Sequence, residues 1–294
     1  MAGRSAGVVR PTPMYDVVAP RWLRVVFATL ERVAPRLGGR LAADIFTTPR
    51  SHRTPAWEQA IVSRGRPRVL ADGLHTIEWG DPSAPAVVLY HGWEGRGSQL
   101  GAFVDPLVAS GLRVIALDGP AHGASAGRRA HPVAFADALV AVGKALGPLR
   151  AVVAHSMGGA ATGIAVDRGL VVDRIALLGT PAAMHEVLER FCAFIGIPPT
   201  IHRHMRAALA ERTGVQPDDV DVRVFGPRHS LPVLVVHDVA DREVPLGDGR
   251  VVAAAWVNGR YVEVDVGGHR KMLKAGEVIQ RVVEFVAGRR TEGA

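Results

Sequence analysis

The sequence predicts an α/β protein: a mostly parallel central sheet with helices on both faces and a small helical cap. Three observations carry this. Apolar runs of strand length at 86–90, 113–117, 151–155, 173–178, 232–237 and 260–265 alternate with helix-compatible stretches at 98–110, 132–146, 157–168, 247–257 and 275–287, and strand–helix alternation is the signature of a parallel sheet covered on both sides. The rhythm breaks once, over 181–229, as an inserted cap would break it. A chain of 294 residues, 48% hydrophobic, is large enough to bury one substantial core with such an insertion.

Taken in order, residues 1–20 are broken by proline and glycine and predict irregular chain. From Arg21 the pattern turns helical, with Trp22, Val26, Leu30 and Val33 recurring at i, i+4, i+8 and i+11. Pro35 interrupts it, and Leu37, Leu41 and Ile45 form a second stripe before Thr47-Thr-Pro-Arg50. Residues 1–67 therefore read as a basic N-terminal helical extension, and 68–294 as the α/β domain with its cap at about 181–229. A first β element is expected from Val69 to Trp79.

Charge separates the two parts. Residues 1–68 hold twelve of the 35 basic residues, all arginine, and four of the 28 acidic ones, a net +8; the remainder is close to neutral at −1. The extension has three readings: a helix pair packed outside the domain, a contact with a second subunit in a homodimer, or a peripheral membrane contact through residues 21–46. Nucleic acid is not an expected partner, because the basic residues lack interleaved stacking aromatics.

The single Cys192 excludes an intramolecular disulfide framework and fits a reducing compartment. Its neighbours Phe191, Ala193, Phe194 and Ile195 make it a buried apolar residue. The longest early apolar run, Val25 to Leu30, is far short of the ~20 residues of a spanning helix, and no cleavage site follows it. The cytoplasm is the expected location. No metal-ligand spacing, P-loop or strand-linked G-x-G-x-x-G is present.

Chemistry concentrates in Ala151-Val-Val-Ala-His-Ser-Met-Gly-Gly-Ala160. A strand-like run meets a helix-like run at Ser156, and a serine squeezed into that junction holds its Oγ out on a tight turn. Ala154 stands where the G-x-S-x-G pattern has its first glycine. Upstream, Ala86-Val-Val-Leu-Tyr90 runs into His91-Gly92-Trp93-Glu94-Gly95. Downstream, one strand ends in His237-Asp238-Val-Ala-Asp241-Arg-Glu-Val-Pro245 and the next in Val266-Gly-Gly-His269.

With these segments and Leu117-Asp-Gly-Pro-Ala-His-Gly-Ala-Ser125, the chain resembles the α/β-hydrolase fold serine hydrolases of carboxylesterase type over residues 68–288. The resemblance implies Ser156 as nucleophile, His269 as general base and Asp241 as its orienting acid. It implies an oxyanion hole from the backbone N–H groups of Trp93 and Met157, and no metal or cofactor. Asp238 competes with Asp241; it follows its strand at once and reads as a turn residue. His91 reads as shaping the oxyanion loop, His122 as structural, and His155 as packing beside the elbow.

The implied reaction is two-step acyl transfer through an acyl-serine. The expected substrate is a small-molecule carboxylic ester of short to medium acyl chain. Thioester, lactone, peptide and lipid substrates, or a slow or non-catalytic ligand receptor on the same fold, are the alternatives. Met184, Leu188, Phe191, Phe194, Ile195, Ile197, Met205 and Leu209 of the cap either line an acyl pocket or form the cap's own core.

Overall fold

The computed structural model describes residues 20–70 and 73–288; the irregular segment expected over 1–20 lies, but for Pro20, outside the described residues. The chain opens with three helices, α1 (Arg21–Val33), α2 (Pro35–Thr47) and α3 (Ala56–Val62). Strands β1 (Arg66–Val69), β2 (His75–Trp79) and β3 (Ala86–Tyr90) follow, then α4 (Val104–Ala109), β4 (Arg113–Leu117), α5 (Pro132–Leu146), β5 (Ala151–His155), α6 (Met157–Asp167) and β6 (Ile175–Leu178). Next come α7 (Met184–Ile195), α8 (Pro199–Thr213) and the short α9 (Val222–Phe225), and the chain closes with β7 (Pro232–Asp238), α10 (Leu246–Ala255), β8 (Asn258–Val264) and α11 (Gly276–Ala287). Among the described residues no helix is long and apolar enough to cross a membrane.

The strands form one sheet in the order β1-β2-β4-β3-β5-β6-β7-β8. β4 through β8 are parallel, and β2 joins β4 antiparallel. The expected single element Val69–Trp79 is instead two antiparallel strands, with Val69 opposite His75, and the boundary expected after residue 67 falls inside β1. β1 is exposed along its length. Its Arg-Pro-Arg sequence suits an edge, because proline cannot donate to a further strand and the charges keep that edge in water.

Side-chain alternation sends each strand into both layers of core. Val88, Ile115, Val152 and Val235 pack with α5, α6 and the cap, whereas Val87, Val114, Val153 and Val236 pack against α4 and α11. Leu23, Phe27, Ala42 and Ala43 of the N-terminal helices belong to the first of these layers. α2 crosses α8 closely, which the pair Gly38-Gly39 allows: a Cβ on Gly39 would lie 2.6 Å from the His204 carbonyl carbon.

The stripe expected to pack α1 is not the buried one. Leu23 and Phe27 face inward, Val26 and Leu30 are half-buried, and Trp22 and Val33 face solvent. α1 carries two apolar strips, and contact with α2 and α8 selects Leu23 and Phe27. Phe27→Ala is expected to cost about 3–5 kcal/mol, the usual range for a buried phenylalanine, read as a shift of the urea midpoint. A change under ~0.5 kcal/mol, typical of surface sites, would mean that α1 is not part of the core.

Candidate active site

Strand order reverses between β3 and β5: the chain steps from β3 outward to β4 and then returns to the other side of β3. Crevices at such a switch point, beyond the carboxyl ends of the strands, are where open α/β sheets bind ligands. The loop after β3 and the residue after β5 both lie there.

Ser156 sits between β5 and α6 with φ 53° and ψ −122°, a conformation disfavoured for any residue with a side chain. Its N–H is tied to the Leu178 carbonyl at 2.8 Å. Close approach of helix and strand makes the turn possible. At Gly158 any Cβ would collide with the His91 carbonyl oxygen, so only glycine lets α6 begin this close to β3.

Beyond β7, Asp241 accepts the N–H groups of Glu243 and Val244 on Oδ1, both at 2.8 Å. Its Oδ2 receives His269 Nδ1 at 2.7 Å. Burial works to raise the Asp241 carboxyl's pKa, but the hydrogen bond and charge of His269 and the two backbone donors outweigh it, and the pKa is lowered. Asp238 instead accepts Ala240 N–H and Val266 N–H, each at 2.7 Å, and so pins the end of β7 to the loop that leads to His269. Of the two aspartates, Asp241 is the one that reaches the histidine.

His269 is buried and shares one cavity with Ser156. The His155 ring packs 4.4 Å from the His269 ring, and His155 Nε2 donates to the His269 carbonyl at 3.0 Å. Burial, reinforced by the neighbouring His269, depresses the His155 pKa well below its ordinary value. His155 is therefore a neutral prop that holds the His269 backbone.

The loop after β3 is a turn closed by Gly95 N–H on the Gly92 carbonyl at 3.1 Å, with Glu94 at φ 54°. A positive φ at the third position of a turn is normally filled by glycine or asparagine. Here a clamp holds a glutamate in it. Arg50 Nε and Nη2 bond the Glu94 carboxylate at 2.9 and 3.1 Å, and the Glu94 N–H donates to His122 Nε2 at 3.0 Å. Burial opposes ionisation of Glu94, yet the bonds from Arg50 keep its pKa lowered.

Trp93 lies inside this turn and Met157 heads α6. Among the described residues no acceptor is recorded for either backbone N–H. The Met157 N–H is one of the donors that a helix N-terminus leaves unpaired.

His91 backs the same loop. Its Nδ1 donates to the Gly92 carbonyl at 2.7 Å and its Nε2 accepts Gly119 N–H at 2.9 Å. One donor and one acceptor define the neutral ring, and burial, together with nearby His122, pushes its pKa down to about 4. His122 is held the same way between Glu94 N–H and the Pro120 carbonyl, and burial lowers its pKa too.

Ser156, His269, Trp93 and Met157 open on a cavity of about 620 Å³. Its apolar wall is built largely from α2 and α7: Phe46 meets Phe191 edge-on at 5.0 Å and stacks on Trp93 at 6.5 Å. Of the cap residues, Met184, Phe191, Phe194 and Ile195 line it, whereas Leu188, Ile197, Met205 and Leu209 are buried in the core. Both readings of the cap thus apply, to different side chains. Ile45, Phe46 and Arg50, which the sequence does not mark as site residues, also line the cavity, and the buried Glu58 of α3 binds Arg96 at 2.6 Å just beyond the loop. No local pattern marks either. Cys192 is buried, and burial pushes its thiol up to about 12, so it is inert as a nucleophile.

The sheet order, the strained serine elbow and the strand-end loops define the α/β-hydrolase fold. A family model described as alpha/beta hydrolase fold matches residues 85–195, the span from β3 through the elbow to the end of α7. Three solved structures are similar. One is an Acinetobacter baumannii AYE protein assigned as a lipase (16% identity, TM-score 0.62, 82% of this chain and 99% of that one). Another is a membrane phospholipase A described as a bacterial virulence factor (19%, 0.61, 92% and 97%). The third is an esterase from Exiguobacterium antarcticum (18%, 0.57, 76% and 99%). No curated protein sequence matches the chain. At these identities the likeness is one of fold.

The neutral histidines have a consequence for stability. A ring whose folded pKa is near 4 takes up a proton later than the same ring in the unfolded chain, whose pKa is 6.5. Between those values the unfolded state binds more protons, so stability falls as pH drops from about 6.5 toward 4. The His91 ring nitrogens are expected to keep neutral-tautomer NMR shifts down to about pH 5. Titration of His91 near pH 6.5 would show that the buried loop geometry is wrong.

Proposed function

We propose that this protein is a serine hydrolase that cleaves carboxylic esters of short to medium acyl chain through an acyl-serine intermediate. The observation that carries this is Ser156 in its strained elbow, opening on the same apolar cavity as a His269 ring whose Nδ1 is fixed by Asp241. With Nδ1–H committed to Asp241, the Nε2 lone pair is left as the base. It takes the Ser156 Oγ proton as that oxygen attacks the ester carbonyl. The backbone N–H groups of Trp93 and Met157 receive the developing oxyanion without reorganisation, since each is fixed by the turn or helix that carries it.

The protonated His269 then gives its proton to the leaving alkoxide, and water, deprotonated by the same ring, releases the acid. The apolar wall of Phe46, Phe191, Phe194 and Ile195 suits an acyl chain, and a volume of about 620 Å³ lies within the usual range for small-molecule sites. The charged pair Arg50–Glu94, which also lines the cavity, braces the turn that carries Trp93.

Hydrolysis of p-nitrophenyl esters from acetate through palmitate tests the proposal. Ser156→Ala should reduce turnover to background, and Asp241→Asn should lower kcat by about 10⁴, the cost of the wrong imidazole tautomer. Activity that survives Ser156→Ala would sink the mechanism, and wild type inactive on the whole series would sink the ester assignment. Arg50→Ala should lower kcat up to about tenfold with little change in KM, less than the ~10²–10³ of an oxyanion donor lost outright. Arg50→Lys should recover only part of it, because an ammonium cannot reproduce the two-point contact. An effect of Arg50→Ala confined to KM would place Arg50 in substrate binding instead.

A further inference from the structure

Among the described residues the outward side of the N-terminal helices meets no other element, and its composition is one-sided. Every exposed residue of α1 and α2 is an arginine, a large apolar residue or Thr29. The arginines are Arg21, Arg24, Arg32, Arg36 and Arg40. The apolar residues are Trp22, Val25, Val33 and Leu37, which are 64%, 65%, 71% and 58% exposed. The two acids of these helices do not offset them: Glu31 is half-buried, and Asp44 is engaged by Arg129 and Arg212.

At 3.6 residues per turn, Trp22, Thr29 and Val33 lie along one line of α1, with Val25 beside it and Arg21 and Arg32 on its flank. The opposite side of α1 adjoins the cavity. Pro20, the residue before α1, lines that cavity, and Arg24 Nη2 reaches the carbonyl of Phe194, another lining residue, at 3.5 Å.

We propose that this face docks the protein onto an anionic lipid surface. Guanidinium groups recognise phosphate, and basic residues near an anionic leaflet each add to binding within a Debye length. The apolar side chains between them, tryptophan above all, suit the headgroup–acyl boundary. A purely polyanionic partner would offer nothing to those four apolar residues. A second copy, face to face, would set the arginines of one against the same arginines of the other, a repulsive arrangement.

The test is co-sedimentation of the full chain with vesicles of phosphatidylcholine alone and of phosphatidylcholine mixed with phosphatidylglycerol, at low and high salt. Wild type should bind the mixed vesicles at low salt and release them at high salt, with its tryptophan emission moving to shorter wavelength. The variant Trp22→Ser/Leu37→Ser should bind at least about tenfold more weakly, and Arg21→Gln/Arg36→Gln/Arg40→Gln about 10²-fold more weakly. Both should keep the wild-type melting temperature and hydrolysis of p-nitrophenyl acetate in vesicle-free buffer.

Failure of wild type to bind the mixed vesicles at low salt overturns the proposal, as does wild-type binding by both variants. So does self-association in sedimentation velocity that Trp22→Ser abolishes in a protein that ignores vesicles, which assigns the face to a second copy. Vesicle binding by a protein inactive on every ester would keep the docking and remove the hydrolase reading, so the two failures are distinguishable.

Discussion

The close crossing of the α6 N-terminus over the end of β3 is the constraint on which the rest of the site depends. Gly158 lies so near the His91 carbonyl that no side chain fits between them, and that proximity sets two things together. It forces the chain between β5 and α6 through a left-handed turn at Ser156, and it brings the head of a helix, with its unpaired donors, beside the turn that carries Trp93. The proposed nucleophile and the two proposed oxyanion donors are thereby placed by backbone alone. Backbone positions of this kind do not relax when charge develops, which is what electrostatic preorganisation requires.

Around that crossing the protein separates histidines by charge state. His91 and His122 are each held as neutral rings by one donated and one accepted bond to the backbone, His155 by one donated bond, and all three by burial. His269 has the Asp241 carboxylate on one ring nitrogen and shares the cavity with Ser156. In the proposed mechanism neutral neighbours matter, because a cationic ring next to His269 would oppose the imidazolium that forms during transfer. Aromatic packing of His91, His122 and Phe135 then fills the space behind the oxyanion turn without adding charge.

The N-terminal helices are joined to this chemistry through the cavity. α2 supplies Phe46 to the wall, and the chain after it supplies Arg50 to Glu94. A segment far from Ser156 in sequence thus braces the turn that presents Trp93. The same helices carry a face rich in arginine and exposed apolar surface. Wall and brace thus come from α2 and the chain directly after it.

Most of the central sheet was legible in the sequence because buried parallel strands are short apolar runs, and six of them stood at the observed positions. Ser156, Asp241 and His269 could be singled out as candidates because each follows a strand, where local pattern, order along the chain and the family resemblance coincide. The hairpin of β1 and β2 was not, since Arg66–Val69 is an exposed edge with no apolar signal. The buried face of α1 was misread for another reason: Trp22–Val33 and Leu23–Phe27 are both plausible strips, and only the surface of α2 and α8 selects between them. By itself the sequence determined the strand–helix order and the placing of Ser156 at a strand–helix junction, because these follow from local periodicity; the roles of Ser156, Asp241 and His269 came only with the family resemblance. The tertiary structure alone decided which aspartate meets His269, which helix walls the cavity and how Arg50 holds Glu94, because those contacts join residues dozens of positions apart and depend on packing between elements.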